Sequence, residues 1–254
     1  VADDGDVAKI FDYTAGITTV GEAMDVPLVT GSTLRIGGDM VLGNRLTGCV
    51  GAVGIAKHMT ARKSTQDGDV LLMTKGPAVE ASALLAVIHR KRLEPRLGTE
   101  LLGRAIARTA EITVVEDALT AFEAGGVHAM HDATEGGVLT GIWEMSHAAG
   151  IPAICDLDAA PVPKDIAAVA RELNFDPWAA ISEGTLLAAV APGSVAAVRA
   201  ALAAKGIPAW PIGRFDSGLV RNISTRSGLL VRNGVTKPLP EPAQDPFWAL
   251  FAAG

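Results

Sequence analysis

The chain has 254 residues, of which 49% are apolar and 20% charged, and its formal net charge is −6. That length suits one large domain or two small ones with a buried core. The mildly acidic balance, with no Lys/Arg stripe, argues against a nucleic-acid footprint, and no run approaches the ~18 uninterrupted apolar residues of a membrane span.

Ile10, Tyr13, Ile17, Val20 and Met24 recur at steps of three and four, which predicts a helix with one buried face over residues 1–25. Val26–Val29 reads as a short strand running into Thr30-Gly31-Ser32-Thr33, and the Gly-rich, β-branched stretch Thr47–Ala56 as a second. Arg35-Ile36-Gly37-Gly38-Asp39 is a turn between them, and the polar passage Lys57–Asp67 a connector. Asp69–Thr74 is a clear strand, and an Ala/Leu-rich helix follows over Val79–Lys91. Next come a helix over Thr113–Ala124, a strand over Val127–Met130, a helix over Val138–Ala149 and a strand over Ile151–Asp156. The alternation continues with a helix at Asp165–Leu173, a strand at Thr185–Val190 and a helix from Pro192 to Lys205. Strands are then expected at Ala209–Ile212, Leu219–Ile223 and Leu229–Arg232. The Pro-rich stretch from Lys237 reads as irregular, with Phe247, Trp248, Leu250 and Phe251 able to dock as a short helix. Mixed helices and strands without strict βαβ alternation predict an α+β fold.

Cys49 and Cys155 lie in separate apolar runs without C-x-x-C or Cys/His spacing, which points to reduced thiols and away from zinc. Together with the absence of a visible signal peptide, this predicts a cytoplasmic protein.

The segment richest in chemistry is His131-Asp132-Ala133-Thr134-Glu135-Gly136-Gly137, between a predicted strand and a predicted helix. Asp132 and Glu135 suit a hard cation such as Mg²⁺. Gly136 and Gly137 let backbone N–H groups approach phosphate oxygens at a positive helix end. The same spacing also describes an ordinary helix start, with Asp132 or Thr134 as N-cap and Glu135 in the first turn. Lys75 follows a strand and precedes Gly76, where it either contacts phosphate or is a solvated turn lysine.

With Val138–Met145 and Ala148–Ile151 after it, this segment resembles the C-terminal domain of the aminoimidazole ribonucleotide synthetase superfamily, the PurM-like fold. The likeness is strongest to the hydrogenase-maturation branch, whose motif reads Arg-Asp-Pro-Thr-Arg-Gly-Gly; His131, Ala133 and Glu135 depart from it. Gly68–Gly76, Ser182–Leu187 and Pro211-Ile212-Gly213 resemble further family strands. Val26–Thr33 is similar to the strand ending in Gly-Gly-Asp-Thr, with Ser32 where the family has Asp.

The resemblance implies a two-domain architecture. Residues 1–60 would be the later half of the N-terminal domain, 61–236 the C-terminal domain and 237–254 a tail. It also implies ATP and Mg²⁺ as cofactors and phosphorylation of a carbamoyl- or amide-type oxygen on a small-molecule or protein-borne acceptor. Asp132 would hold metal and act with Glu135 in catalysis. Gly31, Ser32, Thr33, Lys75, Thr134, Gly136 and Gly137 would contact nucleotide, with Ser32 weakening any metal site there. The family's packing of N-terminal sheets implies a homodimer. The hydrogenase-maturation enzyme carries a C-terminal Cys, whereas this chain ends Phe251-Ala252-Ala253-Gly254. A purine-pathway synthetase and a non-catalytic nucleotide-binding or scaffold subunit are the alternatives.

Overall fold

The apolar run Val70–Met73 lies on an inner strand of a seven-stranded sheet in the computed structural model, which describes residues 7–31, 49–55, 60–218 and 228–254. Contacts divide the chain into two units, Val1–Ala56 and Lys57–Gly254.

In the larger unit the sheet is built from β1 (Val70–Thr74), β2 (Val127–Ala133), β3 (Ala153–Asp156), β4 (Ser182–Val190), β5 (Ala209–Phe215), β6 (Gly228–Arg232) and β7 (Val235–Pro238). Their order is β2-β4-β1-β5-β3-β6-β7, and every pair is antiparallel except β3–β6. The middle strands read as continuous apolar runs because both faces are covered. Leu71 and Met73 of β1, with Leu187 and Ala189 of β4, pack against Val138, Ile142 and Met145 of α5 (Gly137–Ala149). On the opposite face Leu72, Ala188 and Val190 meet Ala121 of α4 (Val115–Ala124) and Val198 and Leu202 of α7 (Val195–Ala204). The sheet's period of two thus feeds two separate cores.

A third apolar cluster joins α2 (Val79–Ile88), α3 (Arg90–Ala107), α6 (Lys164–Leu173) and α8 (Pro246–Ala252). Arg108 fastens this layer, gripping the Asp165 carboxylate with two nitrogens and reaching Glu111 at 2.9 Å.

Four local features differ from the sequence expectation. The helix predicted over 79–91 stops at Ile88, and α3, which was not predicted, follows directly. Pro95 and Gly98 disguised it, and Gly98 interrupts it with φ 77°. Strand β2 runs three residues past Met130, into the chemical motif. Val235–Pro238 forms a strand where an irregular tail was expected from Lys237. The Asn233-Gly234 turn has φ of 53° and 70°, a pair of left-handed residues that matches strand twist in a two-residue hairpin. Asp158 accepts both turn amides at 2.9 Å. The strand predicted over Leu219–Ile223 lies outside the described residues.

The smaller unit contains α1 (Val7–Ala23) as predicted. Its apolar stripe is not buried: Val20 is 63% exposed and Tyr13 42%. The stripe lines an open cavity of about 600 Å³ with Met24, Val26, Leu28 and Val50. The expected strands at 26–29 and 47–56 are irregular wherever they are described. An isolated extended segment has no ladder to satisfy its backbone groups. Arg35 and Asp39 lie outside the described residues.

Candidate active site at the β2–α5 corner

Extension of β2 places His131 opposite Leu187 and Asp132 opposite Leu186, both on the strand rather than in a loop. The register then jumps, so that Ala133 pairs with Ser182. This irregularity turns the chain away from the sheet and into α5 through Gly136 and Gly137, with φ of 74° and 61°. Both glycines are required by packing. A Cβ on Gly136 would collide with the Thr140 hydroxyl, and one on Gly137 with the Ala180 carbonyl.

His131 is the hub of the corner. Its Nε2 lies 2.6 Å from Glu144 Oε2 and its Nδ1 3.3 Å from Asp132 Oδ1. Arg62, from the 3₁₀ turn Arg62–Ser64, closes the network with a 2.6 Å bond to the same Glu144 oxygen. The hydrogen bond from His131 holds the Asp132 carboxyl below its usual range, against the opposing effect of partial burial. Asp132 remains 41% exposed, so one side of its carboxylate faces solvent. Glu135 is exposed as well. Thr134 is half-buried, its N–H donating to Asp132 O at 3.1 Å and its carbonyl accepting from Gly137 N–H at 2.9 Å.

Neither Asp132 nor Thr134 caps α5. The N-cap is Gly136, and no side chain adjacent in sequence caps the helix. The Gly136 N–H instead donates to Asp245 Oδ2 at 2.6 Å, a carboxylate 109 residues downstream. Of the two glycine amides expected to meet phosphate, one therefore already holds an oxyanion, and the other is bonded to Thr134. Below this contact lies a cavity of about 330 Å³, bounded by Glu135, Gly136, Thr140 and Glu144 on one side and by residues 242–245 and Trp248 on the other.

Lys75 sits elsewhere in the unit and is not a solvated turn lysine: its side chain is 10% exposed. Its Nζ pairs with Asp117 at 2.8 Å and donates to the carbonyls of Thr113 (2.7 Å), Gly184 (3.1 Å) and Glu111 (3.4 Å). The ammonium is committed to these four oxygens. Ser182 and Thr185 are likewise structural. Their hydroxyls bond each other at 2.7 Å, and Thr185 donates to Gly76 O at 2.6 Å. Gly31 lies in the exposed irregular stretch of the smaller unit, while Ser32 and Thr33 lie outside the described residues.

Among the described residues no group of three or more His, Cys, Asp or Glu side chains is placed to hold a metal ion. As a half-exposed carboxylate Asp132 offers one oxygen ligand of the kind a hard cation takes, and the described residues do not complete a site around it. The Gly136 amide fits an oxyanion, as the Asp245 carboxylate on it demonstrates. Asp245, Arg62, Glu144 and Asp117 escaped the sequence reading. Of these only Asp245 had a local signal, because Asp-Pro before an apolar run marks a helix start.

A family model described as AIR synthase related protein, C-terminal domain, matches residues 66–221. The chain belongs to this family. An uncharacterised protein of Methanocaldococcus jannaschii is 35% identical over 194 residues, 74% of this chain and 40% of its own length. The carbamoyl dehydratase HypE of Escherichia coli is 28% identical over 240 residues, 91% of this chain and 66% of that enzyme. This chain thus spans less than two thirds of either relative. Its fold is PurM-like. The crystal structure of E. coli HypE, a hydrogenase maturation protein, superposes with a TM-score of 0.72 at 20% identity over 97% of this chain and 72% of that one. A HypE structure in complex with ATP gives 0.54 at 18% identity, over 74% and 54%. No helix among the described residues is long and apolar enough to cross a membrane.

Proposed function

We propose that the chain is part of an ATP-dependent enzyme that phosphorylates a carbamoyl- or amide-type oxygen, as its similarity to HypE suggests. The observation that carries this reading is the β2–α5 corner. There a half-exposed Asp132, its carboxyl held below the usual range by His131, stands four residues before a backbone amide that holds an oxyanion.

The acceptor oxygen would attack the terminal phosphorus of ATP, forming a C–O–P linkage and releasing ADP. Phosphate then leaves carbon far more readily than oxide. Such chemistry depends on positioning and charge neutralisation more than on covalent help from the protein. A bound Mg²⁺ would supply that neutralisation. Asp132 is the residue assigned to hold it, its carboxylate oriented by the His131 ring, which Glu144 and Arg62 hold in turn. Glu135, exposed at the cavity edge, would act with Asp132 in catalysis. A homodimer is expected, and the exposed apolar side chains of the smaller unit, Val20, Val29, Val50 and Val53 among them, support it.

A nucleotide-binding or scaffold subunit without turnover is the second reading, favoured by Asp245 on Gly136 and by Lys75 bound to Asp117. One comparison separates the two. Mg²⁺-dependent ATP binding and hydrolysis are measured for the parent and for Asp132→Ala. The enzyme reading expects binding with turnover that Asp132→Ala abolishes, and the scaffold reading expects binding without turnover. A variant that binds and hydrolyses ATP like its parent removes Asp132 from the site.

A further inference from the structure

The Gly136 amide is occupied by the chain's own carboxylate, and the way that carboxylate is delivered has the form of a strap. Leu239, 3% exposed, anchors one end, with its N–H on Gly228 O at 3.0 Å. Phe247, also 3% exposed, anchors the other within the α2–α3–α6 cluster, and the Leu250 carbonyl meets His89 Nε2 at 2.9 Å. Between the anchors residues 240–244 are exposed and irregular. Asp245 is 5% exposed and its two oxygens do different work. Oδ1 accepts from Phe247 N–H at 2.8 Å and starts α8, while Oδ2 accepts from Gly136 N–H at 2.6 Å. The same segment walls the 330 Å³ cavity over Glu135 and Thr140. Its presence is felt beyond the amide. The Glu80 carboxyl is pushed above its usual range by burial first, then by Glu183, with Asp245 adding to the same effect.

We propose that residues 239–252 form an autoinhibitory strap, in which Asp245 occupies the anion position of Gly136 and a nucleotide phosphate gains that position only by displacing it. This rests on the nucleotide reading of the β2–α5 corner given above. The chemistry of the two occupants is alike, since each offers an anionic oxygen to one N–H at a positive helix end. Both cannot hold the same hydrogen. A ligand's apparent affinity is reduced by the fraction of molecules whose strap is open. Exposed, irregular residues between two anchors are the kind of segment that opens locally without global unfolding. The strap therefore sets a threshold for phosphate binding, and anything that pulls Phe247 from its pocket lowers it.

The test combines ATP titration by calorimetry with amide hydrogen exchange on the full chain. Asp245→Ala removes the internal anion, and Phe247→Ala loosens the strap without altering Asp245 or Gly136. Both variants are expected to bind ATP about tenfold or more tightly than the parent, from the loss of one charge-assisted hydrogen bond. In the parent, saturating ATP is expected to speed exchange at the Phe247 amide and across residues 240–247. Should Asp245→Ala fail to fold, Phe247→Ala and the exchange measurement on the parent decide. If the parent binds ATP, exchange in the strap stays unchanged and neither variant binds more tightly, the strap is overturned while the nucleotide reading stands. If the parent and both folded variants all fail to bind ATP, the nucleotide reading falls and the strap with it.

Discussion

Replacing Lys75 by methionine keeps an unbranched side chain one atom shorter and removes its charge. The ammonium and the Asp117 carboxylate lie 2.8 Å apart with side-chain exposures of 10% and 2%, so both charges are shielded from water. Asp117 Oδ1 has no hydrogen-bond partner, leaving Lys75 as the principal compensation for that carboxylate. Three carbonyls, of Glu111, Thr113 and Gly184, lose their donor in the same step. Breaking a buried pair from one side costs about 3–5 kcal/mol, a large share of the roughly 5–15 kcal/mol that holds a domain folded. All four tryptophans, Trp143, Trp178, Trp210 and Trp248, lie in the larger unit. Their fluorescence in a urea titration therefore reports the unit that contains the pair. Lys75→Met should shift the midpoint strongly downward, and Lys75→Met/Asp117→Leu should recover much of the loss, because the orphaned charge is then gone. A Lys75→Met protein within about 1 kcal/mol of its parent, but with weakened ATP binding, would refute the structural assignment and restore Lys75 as a phosphate contact.

Gly137→Ala should lose about 2 kcal/mol or more, since it combines a left-handed backbone with a collision against the Ala180 carbonyl. Gly150→Ala has similar backbone geometry but open space around it, so it should lose about 1 kcal/mol, and equal losses in paired urea melts would contradict the packing account. Glu80 has a folded pKa above its ordinary 4.5, so the folded state holds the proton more tightly. Its favourable contribution is present below pH 4.5 and is lost as pH rises through the folded value. Glu80→Gln should accordingly raise the unfolding temperature at neutral pH, with the gap closing below pH 4.5; a gap that widens on acidification reverses the sign and rejects the argument. Burial pushes the Cys155 thiol up to about 12, whereas Cys49 is exposed. One thiol per chain should react rapidly with a disulfide reagent at pH 8 and the second only on denaturation; two fast thiols would show Cys155 to be accessible.

Much of the larger unit was legible because its signals are local. Val70–Met73 and Leu186–Val190 are apolar runs of strand length, and the α5 periodicity ends at Gly150, whose φ of 69° suits a helix stop. The Asn233-Gly234 hairpin turn is an equally local signal, set beside prolines that weigh against a strand after Lys237. Helix α3 was hidden by Pro95 and Gly98, which weigh against a helix until packing on α2 and α6 overrides them.

The corner between β2 and α5 divides along the same line. Sequence by itself determined that His131–Gly137 lies where a strand passes into a helix and that its glycines adopt backbone other residues avoid. The order of its helices and strands also determined an α+β chain. Tertiary structure alone decided what meets those residues. It placed Glu144 and Arg62 on His131, Asp117 on Lys75, and Asp245 on the Gly136 amide. The reason is physical. Backbone preference and apolar periodicity act over a few residues and leave a trace in the sequence, whereas a hydrogen bond between positions 136 and 245 depends on how every element between them packs.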